Sequence, residues 1–123
     1  MKMKHLSTPR ILYRVEHPDS GEGPFMNDHI PVHGARHDCG WKFPGLDEDR
    51  LPSGNGIFCA TRSKKQLKFW FNKKELTILH KFGYKVLKLR VKDKSAVRYS
   101  DIQCTFYRRG VELLETCCPT KFI

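Results

Sequence analysis

Apolar positions follow two rhythms along this chain. Ile11, Tyr13 and Val15 alternate with Leu12, Arg14 and Glu16, the period-two pattern of a strand. Residues 17 to 56 hold no sustained period and are rich in Pro, Gly, Asp and His, and Gly21-Glu-Gly-Pro-Phe-Met-Asn27 has the composition of a turn. So long a structureless stretch is unusual in a compact domain. It is expected either to contain a short helix or to be a functional loop that packs through Phe25, Trp41, Phe43 and Leu46. Gly56-Ile-Phe-Cys-Ala60 reads as a short buried strand. The period then becomes helical. Ser63-Lys-Lys-Gln66 has the form of a capping box, and Leu67, Trp70 and Phe71 recur opposite Lys64, Lys65 and Lys68. Asn72-Lys-Lys-Glu75 repeats the capping pattern for a second helix that buries Leu76 and Leu79, with Ile78 at the margin, and stops at Gly83.

Leu87, Leu89 and Val91 alternate with Lys88, Arg90 and Lys92, a strand with one buried face. Asp93 to Ser100 reads as a loop, and Asp101 to Tyr107 as a strand with Ile102, Cys104 and Phe106 inward. Arg109-Gly110 turns the chain, and Val111 to Glu115 is either a short strand or a helical turn. The order predicts a small mixed α+β domain: one twisted, mostly antiparallel sheet with two short helices. Its expected extent is residues 11–116 with a long loop at 17–55, between a flexible basic N-terminus (1–10) and a C-terminal tail (117–123).

Composition narrows the class. With 39% apolar and 11% aromatic residues in 123, the chain has the material for one packed core and is not wholly disordered. No apolar run approaches the roughly 18 residues of a membrane span, and Met1 to Arg10 is basic without the apolar stretch of a secretory signal. The five cysteines (Cys39, Cys59, Cys104, Cys117, Cys118) are odd in number, which points to free thiols in a reducing cytoplasm. Cys59 and Cys104 are expected as small core residues. His29, His33 and His37 recur every fourth residue, but Pro31 and Gly34 interrupt any helix that would align them, so zinc is not expected.

The formal charge is +10, and it is unevenly placed: Arg62 to Arg98 holds 13 basic residues against Glu75 and Asp93, and the rest of the chain is close to neutral. Such a segment either attracts polyanions and acidic proteins or is a solvated helix face that keeps a small protein soluble. Lys64, Lys65, Lys68, Lys73 and Lys74 are the candidate partner-binding residues, for a protein complex or for nucleic acid. Phe69, Trp70, Phe71 and Tyr84 interleave with this charge and could stack bases, but the helical period assigns Trp70 and Phe71 to the core, and no nucleic-acid-binding motif is present.

Tyr13-Arg14 in the first strand, Gly56-Ile-Phe-Cys-Ala-Thr61 running through Ser63 into a helix, and Asp101-Ile-Gln103-Cys-Thr-Phe106 stand in an order that resembles the three motifs of ADP-ribosyltransferases. The resemblance covers roughly residues 11–107. It implies an ADP-ribosyltransferase-like fold and NAD as cofactor. It also implies Arg14, Thr61, Ser63 and Gln103 as catalytic residues and Tyr13, Arg14, Phe58 and Phe25 as cofactor-binding ones. In that scheme a cation and a hydroxyl hold pyrophosphate and ribose, and an acceptor stabilises an oxocarbenium-like centre. The chain departs from the pattern in two places. Cys59-Ala-Thr61 replaces the usual Ser-Thr-Ser run, and Gln103 stands where a Glu is normal. A Gln can hydrogen-bond a ribose hydroxyl but cannot act as a base. The chain is therefore either a divergent transferase or a fold that binds a ligand without turning it over. The structural alternative is that Arg14 is a strand-surface residue and Gln103 a polar residue on a sheet face.

Tyr13 to Glu16, Gly21-Glu-Gly23-Pro24-Phe25 and Ser63 to Phe71 also resemble segments of small phage-encoded accessory proteins. That likeness implies a role against a host or defence target in the bacterial cytoplasm, as in anti-CRISPR proteins, some of which share the transferase fold. The Gly21 turn has no following helix signal and is no P-loop. The alternative is a non-catalytic basic module that occludes a protein or nucleoprotein partner or binds nucleic acid.

Overall fold

The structure is a computed structural model that describes residues 8–23, 36–37, 40–41, 51 and 56–123. Its elements run β1 (Ile11–Glu16), β2 (Arg36–His37), β3 (Gly40–Trp41), β4 (Ile57–Ala60), α1 (Lys64–Trp70), α2 (Lys73–Lys81), β5 (Lys85–Val91), β6 (Val97–Tyr99), β7 (Cys104–Tyr107) and β8 (Val111–Cys117). Short 3₁₀ turns occupy Lys94–Ala96, Arg108–Gly110 and Pro119–Phe122.

The fold is α+β with two short helices, but the strands divide into two three-stranded antiparallel sheets, β1-β5-β8 and β4-β7-β6, instead of one. The division has a local cause. β1 and β4 meet through a single bridge, Tyr13 opposite Thr61, whose two N–H···O bonds measure 2.8 and 2.9 Å. Beyond that pair the two strands part.

β1 and β5 form the middle layer. On one face Tyr13, Val15 and Val86 pack against Leu67, Trp70, Phe71, Leu76 and Leu79 from the helical segment. On the other, Leu12, Leu87 and Leu89 pack against Ala60, Val97, Cys104 and Phe106 of the second sheet. Covering both faces buries β1 almost end to end and takes Arg14 and Glu16 inside with it. It also buries both faces of β5 at Val86 and Leu87, where one buried face was expected.

Capping fixes the helices where the sequence places them. The Ser63 hydroxyl accepts from Gln66 N at 3.0 Å, while the Gln66 side chain reaches back to Arg62 N at 2.8 Å. Asn72 and Glu75 complete a reciprocal capping box on α2. That helix ends in paired bonds from Gly83 N to His80 O and from Tyr84 N to Leu79 O. This termination needs a left-handed residue, and Gly83 supplies it at φ +84°.

Several boundaries differ from expectation. Asp93 to Ser100 contains a 3₁₀ turn and β6, too short to show a period. The expected strand at 101–107 shortens to β7, because Ser100 to Gln103 closes a turn. Val111 to Glu115 is a strand, and it continues to Cys117. Residues 117–123 are not a tail. Phe122 is buried and meets Tyr13 edge-on at 5.9 Å, closing the end of the helical layer. At the other end, Arg10 O accepts from Val91 N at 2.8 Å. Cys104 is a core residue; Cys59, on the edge strand β4, is exposed. Of the long loop, the turn through residue 23, the β2–β3 pair and the buried Leu51 are described; Phe43 and Leu46 lie outside the described residues. Among the described residues no helix is long and apolar enough to cross a membrane.

Candidate functional site

Where β1 and β4 part, a cavity of about 430 Å³ opens. Its walls are residues 13–15 of β1, the turn at 20–23, residues 57–61, the inward side of α1 through Trp70 and Phe71, and Gln103. Tyr13, Arg14, Phe58, Thr61 and Gln103 therefore share one cavity. Ser63 does not line it; its hydroxyl is the α1 cap. Phe25 lies outside the described residues.

Arg14 is neither a surface residue nor a loose cation. Its Nε donates to Glu16 Oε1 at 2.8 Å, Nη1 to Cys59 O at 2.9 Å and Nη2 to Gly21 O at 3.0 Å. The splay of the strands leaves Cys59 O without a partner on β1, and the guanidinium supplies one. Arg14 thus braces β4 and the 20–23 turn against β1. That turn is closed by Gly21 N donating to His17 O at 2.7 Å, with Gly21 left-handed at φ +73°.

Glu16 is shared. Arg108, from the turn between β7 and β8, donates to the same carboxylate oxygen as Arg14. Both guanidinium carbons approach the Phe58 ring, at 4.9 and 4.3 Å from its centroid. Two cations and one carboxylate leave this cluster with a net positive charge. Arg108 escapes a reading of the sequence because 92 residues separate it from Glu16; the cue available is the alternation that puts Arg14 and Glu16 on the same strand face.

Thr61 and Gln103 are held by different means. Thr61 Oγ1 lies 3.3 Å from Tyr13 O, reinforcing the bridge at the apex of the cavity. Gln103 precedes β7 instead of lying within it. Its backbone closes the 100–103 turn through Ser100 N to Gln103 O, 2.9 Å. Two side chains of α1 anchor that turn: Trp70 Nε1 donates to Ile102 O at 2.7 Å and Gln66 Nε2 to Asp101 O at 2.9 Å. Trp70, expected only as core, is thus also a cavity wall and a positioning residue.

The chain matches the family model of the bacteriophage T4 Y00F protein over residues 1–120. It belongs to that family. No curated protein and no solved structure matches it. The phage half of the sequence resemblance is therefore carried by the family, while no match carries the ADP-ribosyltransferase half.

The described lining of this Y00F-family chain's cavity offers little for proton transfer. Among its described lining residues Glu22 is the sole carboxylate; it belongs to the exposed turn and helps raise the Tyr84 hydroxyl, whose burial is the larger cause. Below the cavity, burial pushes the Cys104 thiol up to about 12 against the opposing pull of Arg62. The partner-binding candidates Lys64, Lys65, Lys68, Lys73 and Lys74 lie on the exposed sides of α1 and α2. Of the histidine series, His29 and His33 lie outside the described residues, and His37 is placed by its backbone in β2.

Proposed function

We propose that this phage protein binds a nucleotide of the NAD type in the β1–β4 cavity and through it acts on a host or defence target in the bacterial cytoplasm. One observation carries the reading: Tyr13, Arg14, Phe58, Thr61 and Gln103, spread over the chain, line a single cavity. Its volume of about 430 Å³ falls within the roughly 300–1,000 Å³ of small-molecule sites. Trp70 suits the face of a nicotinamide or adenine ring, and the net positive charge of the Arg14–Glu16–Arg108 cluster at the edge of the cavity suits the field of a phosphate. The Thr61 hydroxyl and Gln103 amide suit ribose hydroxyls. Gln103 cannot take a proton, so these residues would bind and orient the nucleotide; in an ADP-ribosyl transfer the target's nucleophile would attack the ribose anomeric carbon while the bond to nicotinamide breaks and nicotinamide leaves.

The test pairs binding with transfer. Calorimetric titration of NAD should give saturable one-to-one binding, weakened at least tenfold by Gln103→Leu. Incubation with labelled NAD and bacterial lysate should mark a host protein. Binding without label limits the function to occupying the target; no binding of NAD or ADP-ribose overturns the reading. Arg14→Ala is the wrong probe, because it removes the brace of the fold as well as a cavity wall.

A further inference from the structure

A second surface stands apart from the cavity. Lys64, Lys65 and Lys68 of α1 and Lys73, Lys74 and Lys81 of α2 are all exposed, and none forms a salt bridge among the described residues. The one acid on these helices, Glu75, is buried, its carboxylate spent on the Asn72 amide of the capping box. The two helices are separated in sequence only by Phe71 and Asn72, and the exposed side of each carries lysines and no acid.

The aromatic residues of this segment divide. Trp70 and Phe71 are buried, but Phe69 is 53% and Phe82 45% exposed. Lys65 and Phe69 are four residues apart in α1 and so share a helix face. Lysines that neutralise phosphates beside aromatic rings that stack on unpaired bases are what a sequence-tolerant single-strand surface requires. Stacking of this kind cannot be had from bases held in a duplex, whose faces are already covered by their neighbours.

We infer that the outer face of α1 and α2 is a docking surface for single-stranded nucleic acid, through the lysines and Phe69. The surface is independent of the nucleotide proposed for the cavity.

Fluorescence anisotropy with a labelled oligothymidylate of about 20 nucleotides tests it. Affinity should fall steeply between about 50 and 200 mM salt, with a log–log slope of about −2 to −4, which corresponds to several phosphate contacts at about −0.7 each. Combined Lys64→Glu, Lys65→Glu and Lys68→Glu should weaken binding more than tenfold with an unchanged melting temperature, and Phe69→Ala should weaken it several-fold. Gln103→Leu should leave oligonucleotide binding as it was, which separates this surface from the cavity. No binding at the lowest salt, a salt-independent affinity, or equal competition by duplex DNA or polyglutamate would each overturn the inference.

Discussion

The seam between the two sheets and the outer face of the two helices both carry concentrated positive charge, and the charge does opposite work in each. At the seam, Arg14 has a side chain only 7% exposed, and it is bonded to Glu16, Cys59 O and Gly21 O. On the helices, six lysines face water with no ionic partner among the described residues. A buried cation is held by the acceptors around it and becomes part of the scaffold. An exposed one contributes little to folding and remains available to a partner. Counting charge along the sequence finds the second region and misses the first.

Removing Glu16 is the harshest way to break this contrast. Glu16→Gln leaves Arg14 and Arg108 without their shared carboxylate, and breaking a buried ion pair in this way costs about 3–5 kcal/mol. Urea unfolding should register that loss, and an unchanged midpoint would show that the cluster is not structural.

The buried side is also the one sensitive to alkali. The Cys104 thiol is fully buried, and burial raises it to about 12 from 9.0. Between those values the unfolded chain has released the proton and the folded chain has kept it. Stability should therefore fall as pH rises through this window, by up to about 1.4 kcal/mol per pH unit. Cys104→Val should flatten that part of the profile relative to the parent; parallel profiles would refute the assignment.

Trp70→Phe removes the indole donor to Ile102 O and should cost about 1–3 kcal/mol for the partly buried carbonyl left behind. Because that bond anchors the turn bearing Gln103, nucleotide binding should weaken more than the melting temperature suggests. The smallest effect belongs to the exposed face. Lys64→Glu or Lys73→Glu should shift stability by less than about 0.5 kcal/mol, measured by the same unfolding assay, even where oligonucleotide binding is lost.

Elements with a strong local signal are legible in the sequence itself. β1, both helices with their caps, and β5 follow from period and capping residues alone. β8 is obscured by a register shift against β5: Lys88 pairs with Glu115 but Leu89 with Leu113, so Leu114 is extra. Leu113 and Leu114 are then both exposed, which erases the alternation. The three-layer arrangement is hidden for another reason. A strand that carries Arg14 and Glu16 on alternate positions looks half-solvated, and only the second sheet shows that its polar face is covered. The site is legible in part. Arg14, Thr61 and Gln103 stand out by resemblance, whereas Arg108 and the second role of Trp70 depend on contacts between distant parts of the chain. Ser63 stands out for its place in a motif, but its hydroxyl is committed to the helix cap.

The most direct measurement is an amide-resolved NMR titration of isotopically labelled protein with NAD at physiological salt. Saturable shifts should cluster at residues 13–15, 20–23, 57–61 and 103, with α2 and β8 unmoved. No saturable shift, or shifts confined to the lysine face of α1 and α2, would contradict a nucleotide site at the seam.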